Sequence, residues 1–401
     1  MVCCLSSLWD KSPLSSLRPR HLFNLDCFEI TSGSVPNDRS GIREVVVGES
    51  MVIAITYSGI AVAFLRTGTP LQHVTEGPDL LVKCAWYHPN EKAFLLATVS
   101  SLEEYRILRV YLVYEAEVLL STTQRRLPTL ISLEIGKVSS PGFAEFERRT
   151  GLLLVYAPTS GMQTGFYRIF SISTGVLYCL LKLAAGNVID IRLSRQYILV
   201  QMDAPTGTYI KVIRPPFEPA KLQTFSIRLP VEPGPCQMMD LIGSLFLFQQ
   251  EGQPLICYSL ESESLLVIGQ PHGTHRTSTE TSSGRFPYIF TTDAGDCLAY
   301  LMEGTLRILD VSLGSLRTLQ SLEDVAALPV MYDSWRGVWF FHGVLTIPSL
   351  GSCRGLHATL PSTQETKLLM MYDDAYLTAF SLVDDVLYLG NANGIIQAYG
   401  I

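Results

Sequence analysis

The chain has 401 residues, 47% of them apolar and 17% charged, and a formal net charge of -7. That is ample material for a large buried core and too apolar for a disordered chain. The sign of the charge is wrong for a protein that grips nucleic acid through its overall charge, and no apolar run reaches the roughly 18 residues a helical membrane span needs.

The first twenty residues, MVCCLSSLWDKSPLSSLRPR, are rich in serine and carry three basic residues against one acid. Asp10 and two prolines spoil an amphipathic transit helix. Val2 rules out myristoylation as an anchor beside Cys3 and Cys4. Residues 1–20 are therefore expected to be a flexible leader, with a targeting peptide or acylation of Cys3 and Cys4 as the other readings.

Residues 21–30, HLFNLDCFEI, form a strand-like segment standing alone ahead of the first regular unit. Then REVVVGE, MVIAITYS, GIAVAFLR and LQHV follow in close succession. Four short runs joined by turns too short for crossover helices must form an antiparallel meander. Valine, isoleucine, phenylalanine, tyrosine and threonine fill the runs, and Gly, Pro, Asn and Ser break them. Helical periodicity is nearly absent.

The same form recurs along the chain, at the spacing of roughly 40 to 50 residues expected of a propeller blade. The expected units span 41–78, 79–136, 141–184, 186–230, 235–270, 286–321, 326–361 and 375–401. The last has only three strands, AYLTAFSL, DVLYLGNA and GIIQAYGI. Pairing 21–30 beside 394–401 supplies the missing one and removes an exposed sheet edge. The expectation is an all-β chain: a single β-propeller of four-stranded antiparallel blades, closed by pairing of an N-terminal strand with the C-terminal blade. The count is eight blades, or seven if the ragged stretch 326–374 is partly insertion.

Three stretches, LYLGNANGIIQAYGI, TLRILDVSLGSLRTL and FYRIFSISTGVLYCLL, resemble elements of degenerate WD40 blades. The opening LDCFEITSGSVPNDRSGIREVVVGESMVIAITYSGIAVAF resembles that of a WD40-like propeller family of plants and green algae. The resemblance covers roughly 21–401 on weak motifs. No blade keeps a full Gly-His and Trp-Asp pair, so the WD40 hydrogen-bond tetrad is not carried over. The resemblance implies a scaffold that binds other proteins and no catalytic residue.

The residues offer little chemistry beside it. His272 and His275, with Glu280 nearby, have chelating types, but QPHGTHRTSTE reads as a loop. No metal is therefore expected. GSCRG at 351–355 outlines a nucleophile elbow around Cys353 without the strand-turn-helix setting that motif needs. No GxGxxG or Walker sequence supports a nucleotide cofactor. The acid pairs Glu103-Glu104, Asp373-Asp374 and Asp384-Asp385 read as turns. The basic pairs Arg125-Arg126 and Arg148-Arg149 read as solvated loops. The innermost strands offer Arg43, Glu44, Asp190 and Arg192.

Candidate interaction residues are Tyr332, Trp335 and Arg336 in YDSWRGVWFF, types enriched at binding hot spots. His272, His275 and Arg276 in the long polar loop 269–285 join them. The cysteines (Cys3, Cys4, Cys27, Cys84, Cys179, Cys236, Cys257, Cys297 and Cys353) are odd in number and lack a CxxC pair. They suit free thiols in a reducing, cytoplasmic or nuclear compartment. The expected function is a non-catalytic protein-interaction scaffold. The alternatives are an enzyme with its site at the central channel, or an RNA-associated propeller.

Overall fold

The computed structural model describes residues 18–25, 41–74, 80–100, 107–120, 129–134, 144–147, 150–158, 165–172, 174–183, 187–193, 197–204, 207–214, 223–228, 236–242, 244–250, 255–268, 288–291, 297–302, 305–310, 317–322, 330–333, 337–347, 351–361, 365–371 and 377–400. Strand β1 (Arg18–Asn24) comes first. One group of four follows as β2 (Ile42–Val47), β3 (Met51–Thr56), β4 (Ala61–Leu65) and β5 (Pro70–His73). The next comprises β6 (Leu80–His88), β7 (Ala93–Ser100), β8 (Ile107–Tyr114) and β9 (Thr129–Glu134), with the short helix α1 (Glu115–Leu120) before its last strand. Then come β10 (Ala144–Glu147), β11 (Leu152–Pro158), β12 (Gly165–Ser171) and β13 (Leu177–Leu183). After them lie β14 (Asn187–Leu193), β15 (Ile198–Ala204), β16 (Gly207–Arg214) and β17 (Gln223–Arg228). The fifth group is β18 (Cys236–Ile242), β19 (Leu245–Gln250), β20 (Leu255–Ser259) and β21 (Ser264–Ile268). The sixth is β22 (Tyr288–Thr291), β23 (Cys297–Met302), β24 (Thr305–Asp310) and β25 (Arg317–Leu322). The seventh is β26 (Val330–Asp333), β27 (Val338–Ile347), β28 (Gly351–Leu360) and β29 (Glu365–Met371). The chain finishes with β30 (Leu377–Val383), β31 (Val386–Asn391) and β32 (Ile395–Gly400).

Each group is one four-stranded sheet in sequence order, and the eighth sheet has the order β1-β32-β31-β30. The N-terminal strand thus completes the C-terminal sheet, in antiparallel register from Arg18 opposite Gly400 to Asn24 opposite Ile395. The stretch 326–374 holds a complete sheet of its own, so the count of sheets among the described residues is eight rather than seven.

Second strands read as continuous apolar runs because neighbouring sheets cover both their faces. β3, β7 and β31 are buried along their whole length. Hairpin chemistry sets the turns. Asp384 and Asp385, between β30 and β31, take positive φ of 50° and 62°. Two successive left-handed residues match the twist of the flanking strands. Between β31 and β32 the Asn391 carboxamide oxygen accepts hydrogen bonds from the Asn393 and Ile395 amides, at 2.9 and 3.0 Å. A side chain that mimics a backbone turn in this way is why GNANG closes so tightly.

Two compact units divide the chain, one of residues 1–133 and 322–401, the other of 134–321. In the first, the opening strands of successive sheets touch: β26 meets β30, β30 meets β2, and β2 meets β6. In the second, β10, β14, β18 and β22 do the same. Cores lie between facing sheets. Phe23, Leu25, Val52, Phe64, Tyr388 and Ile396 share one in the first unit. Ile169, Cys179, Leu181, Ile198, Val200 and Ile213 share one in the second.

Three sequence expectations need correction. The closing strand starts at Arg18 rather than His21, so Arg18, Pro19 and Arg20 belong to a strand and not to a leader. An edge strand tolerates them: the register shifts between Pro19 and His21, and both Pro19 and Arg20 are exposed. Residues 1–17 and 26–30 lie outside the described residues. The fourth strand of the seventh sheet, β29, lies past the expected boundary at 361. Finally, the helix α1 was not expected; at six residues it is too short to show a period.

Candidate functional site

An enzyme in a fold of this kind would need free polar side chains on the opening strands, and three of the four named there, Arg43, Glu44 and Arg192, are engaged within the fold. On β2, Arg43 donates from Nη2 to the Val82 carbonyl at 3.0 Å and the Lys83 carbonyl at 3.4 Å, both on β6. Glu44 stands 3.9 Å from the same guanidinium. In the other unit, Arg192 on β14 donates to Glu145 on β10 at 3.0 Å. Arg43 and Arg192 therefore do similar work, each fastening one opening strand to the next. Asp190 sits on β14 in register with Gln201.

A dense polar cluster lies instead at the turns of the first unit. Arg66, just after β4, donates from Nη1 to Asp384 Oδ2 at 2.6 Å and from Nε to the Tyr388 hydroxyl at 3.1 Å. It also reaches the Glu49 and Val383 carbonyls, each at 3.4 Å. Burial works against its charge, but Asp384 and Tyr388 outweigh it, so the guanidinium is held above its ordinary range.

On the other side of the Gly48-Glu49-Ser50 turn, the buried Glu115 carboxylate accepts from the Ser50 amide at 3.2 Å and the Ser50 hydroxyl at 2.9 Å. The Tyr87 hydroxyl accepts from the Glu49 amide at 3.3 Å. Lys92 pairs with Glu49 at 2.7 Å, which holds the ammonium above its usual range. Burial, followed by the nearby Glu115 charge, raises the Tyr87 phenol. Gly48 is required here, because a Cβ would collide with the Glu115 carboxylate. This cluster links three successive sheets, and its groups are satisfied by one another.

Tyr332 is half-buried on β26, with its ring 4.7 Å from that of Trp339. Trp339, Phe340 and Phe341 are core. Trp335, Arg336, His272, His275 and Arg276 lie outside the described residues. Cys353 falls inside the ten-residue strand β28, a setting incompatible with a nucleophile elbow. Among the described residues no group of three or more His, Cys, Asp or Glu side chains gathers to hold a metal.

Cys84, Cys179, Cys257 and Cys297 form no disulfide among the described residues. Burial pushes the Cys257 thiol up to about 12 and raises that of Cys179. A thiol without thiolate character is a poor nucleophile.

Sequence reasoning missed Arg168 on β12 and the exposed apolar run on β13. Arg168 Nη1 is buried without a hydrogen-bond partner among the described residues. Val176, Leu177, Tyr178 and Leu180 are exposed. The signal was present in GVLYCLLKL, an outer strand with no charge before its lysine.

No family model and no curated protein matches this chain. Solved structures do. The chain is similar to the computationally designed Ika8 protein, with 12% identity and a TM-score of 0.60 over 92% of this chain and 98% of that one. It is similar to BamB from Moraxella catarrhalis, with 12% identity and a TM-score of 0.50 over 89% and 96%. The WD40 beta propeller domain of Doa1 matches at 15% identity and a TM-score of 0.44 over 91% and 94%. At such identities a likeness speaks for the fold alone. With the sheet order above, the class is a β-propeller of four-stranded antiparallel blades, the last completed by the N-terminal strand.

Proposed function

We propose that this protein is a non-catalytic scaffold that displays loops and strand edges to protein partners. The observation that carries the reading is the fate of its inner-strand charges. Arg43 and Arg192 fasten strands to one another rather than standing free, as a catalytic site would need them to. The WD40 resemblance favours the same reading, and the opening residues favour kinship with the WD40-like family of plants and green algae. Cys84, Cys179, Cys257 and Cys297, none of them in a disulfide, favour a reducing, intracellular compartment.

Affinity purification of the tagged full chain from its own cells, at moderate salt and with or without nuclease, tests the proposal by mass spectrometry. Stoichiometric partners that survive nuclease are expected. A solitary monomer, or partners lost with nuclease, would overturn it.

A further inference from the structure

Outer strands leave a row of backbone N–H and C=O groups unpaired, and proteins usually blunt such edges with proline, charge or polar residues. Several outer strands here are treated that way. β5 begins at Pro70 and continues through Gln72 and His73. β17 exposes Gln223, Thr224 and Ser226. β1 carries Pro19 and the exposed Arg20 beside Leu22.

β13 and its approach are different. Val176, Leu177, Tyr178 and Leu180 are 61%, 43%, 56% and 42% exposed, four of the nine large apolar residues exposed among the described residues. The same strand is firmly seated, because Cys179 and Leu181 are buried against Ile198, Val200 and Ile213 of the next sheet. A register shift explains why two consecutive residues face solvent. Pairing with β12 passes from Cys179–Ile169 to Leu177–Phe170 and leaves Tyr178 unopposed. Directly opposite Leu180 stands Arg168. Cross-strand partners share a face, so a guanidinium with a buried, unpartnered Nη1 lies beside the apolar strip. A buried donor left without an acceptor costs free energy that an arriving carboxylate recovers.

We infer that β13 is a docking edge for an extended segment of a partner protein, which adds as a fifth strand with aliphatic side chains over Tyr178 and Leu180 and one carboxylate for Arg168. The inference deepens the scaffold reading and rests on it. A second copy of this chain fits less well on two counts. Val176–Leu183 contains no acid, so Arg168 would stay unpaired. The strip also consists of only four side chains, against the ~800 Å² per partner of a stable interface. Strand addition needs less area, because main-chain hydrogen bonds supply affinity and alternate side chains supply selectivity. The buried face of β13 holds the edge in place beforehand, which lowers the ordering cost of binding.

The test uses the full chain and three labelled synthetic peptides of about ten residues. One alternates threonine and valine around a central aspartate. The second has lysine in place of that aspartate. The third has proline at alternate positions. Binding is read by fluorescence anisotropy, and its location by hydrogen exchange.

The aspartate peptide is expected to bind and to protect amides within Leu177–Leu183. The lysine peptide should bind at least ~10-fold more weakly, and the proline peptide not at all. Arg168→Met should erase the difference between the aspartate and lysine peptides. Tyr178→Lys with Leu180→Lys should abolish binding while leaving the melting temperature unchanged, since both side chains are exposed. Equal affinity for the aspartate and lysine peptides, protection elsewhere, or no binding overturns the inference. The double-lysine variant also separates this inference from the scaffold reading. If it keeps every stoichiometric partner of the wild type, the edge is not the docking site and the scaffold stands. If the wild type itself returns alone, the scaffold reading fails as well.

Discussion

Replacing Arg66 with methionine keeps much of the alkyl stem and removes the group that ties the turn after β4 to the closing sheet. Its two strong contacts differ in environment. Asp384 is 71% exposed, so its 2.6 Å ion pair is screened and contributes about 0–1 kcal/mol. Tyr388 is buried, and its hydroxyl loses the Arg66 donor. An unsatisfied buried hydroxyl costs about 1–3 kcal/mol. The sum for Arg66→Met is about 1–4 kcal/mol. Asp384→Ala should cost no more than ~1 kcal/mol. Arg66→Met and Tyr388→Phe should couple by about 1–2 kcal/mol in a double-mutant cycle. Urea midpoints at unchanged m-value measure all four. Raising the salt should erase the Asp384 share and leave the Tyr388 share. If Arg66→Met and Tyr388→Phe add without coupling, or Asp384→Ala costs as much as Arg66→Met, the division of labour argued here is wrong.

Phe23 is 0% exposed and meets Phe64 edge-on at 5.5 Å, so Phe23→Ala should weaken the closing sheet by about 3–5 kcal/mol. Hydrogen exchange should then speed up selectively at Ile395–Gly400, whereas uniform acceleration across all sheets would contradict the anchoring role. Gly48→Ala forces a methyl group into the Glu115 carboxylate and should destabilise by about 1–3 kcal/mol; a melting temperature equal to that of the wild type would count against this packing. Cys257 should resist alkylation at pH 8 until the chain unfolds, because its thiol is pushed up to about 12. Its folded value lies above the unfolded one, so its contribution to stability is complete below about pH 9 and declines as pH climbs toward 12. Rapid native labelling at Cys257, followed by peptide mass, would contradict its burial.

The repeating grammar was legible because turn residues and short apolar runs are local signals. REVVVGE, MVIAITYS, GIAVAFLR and LQHV became β2 to β5 because nothing longer than a turn separates them. The closing pair was legible from one strand missing at one end and one spare at the other. Arg-Pro-Arg hid the start of β1, because those residues look like solvated leader and are tolerated only where one side of a strand has no partner. β29 was hidden because ETKLLMM begins with polar residues after the expected end of its unit. The polar cluster was not legible at all. Arg66 and Asp384 are 318 residues apart, and no local pattern marks either as the partner of the other. Arg168 was equally silent, since its significance depends on Leu180 lying opposite it.

The sheet that joins β1 to β32 also imposes a schedule on synthesis. β1 leaves the ribosome well before β32, its ladder partner among the described residues, which is made more than three hundred residues later. At ordinary elongation speeds that is a wait of roughly 20–80 s. Throughout it, Phe23 has no finished pocket, while the sheets between can form from neighbours already translated. A nascent chain of this protein therefore carries an unpaired aromatic strand throughout that interval, and chaperones that hold such segments would meet it there.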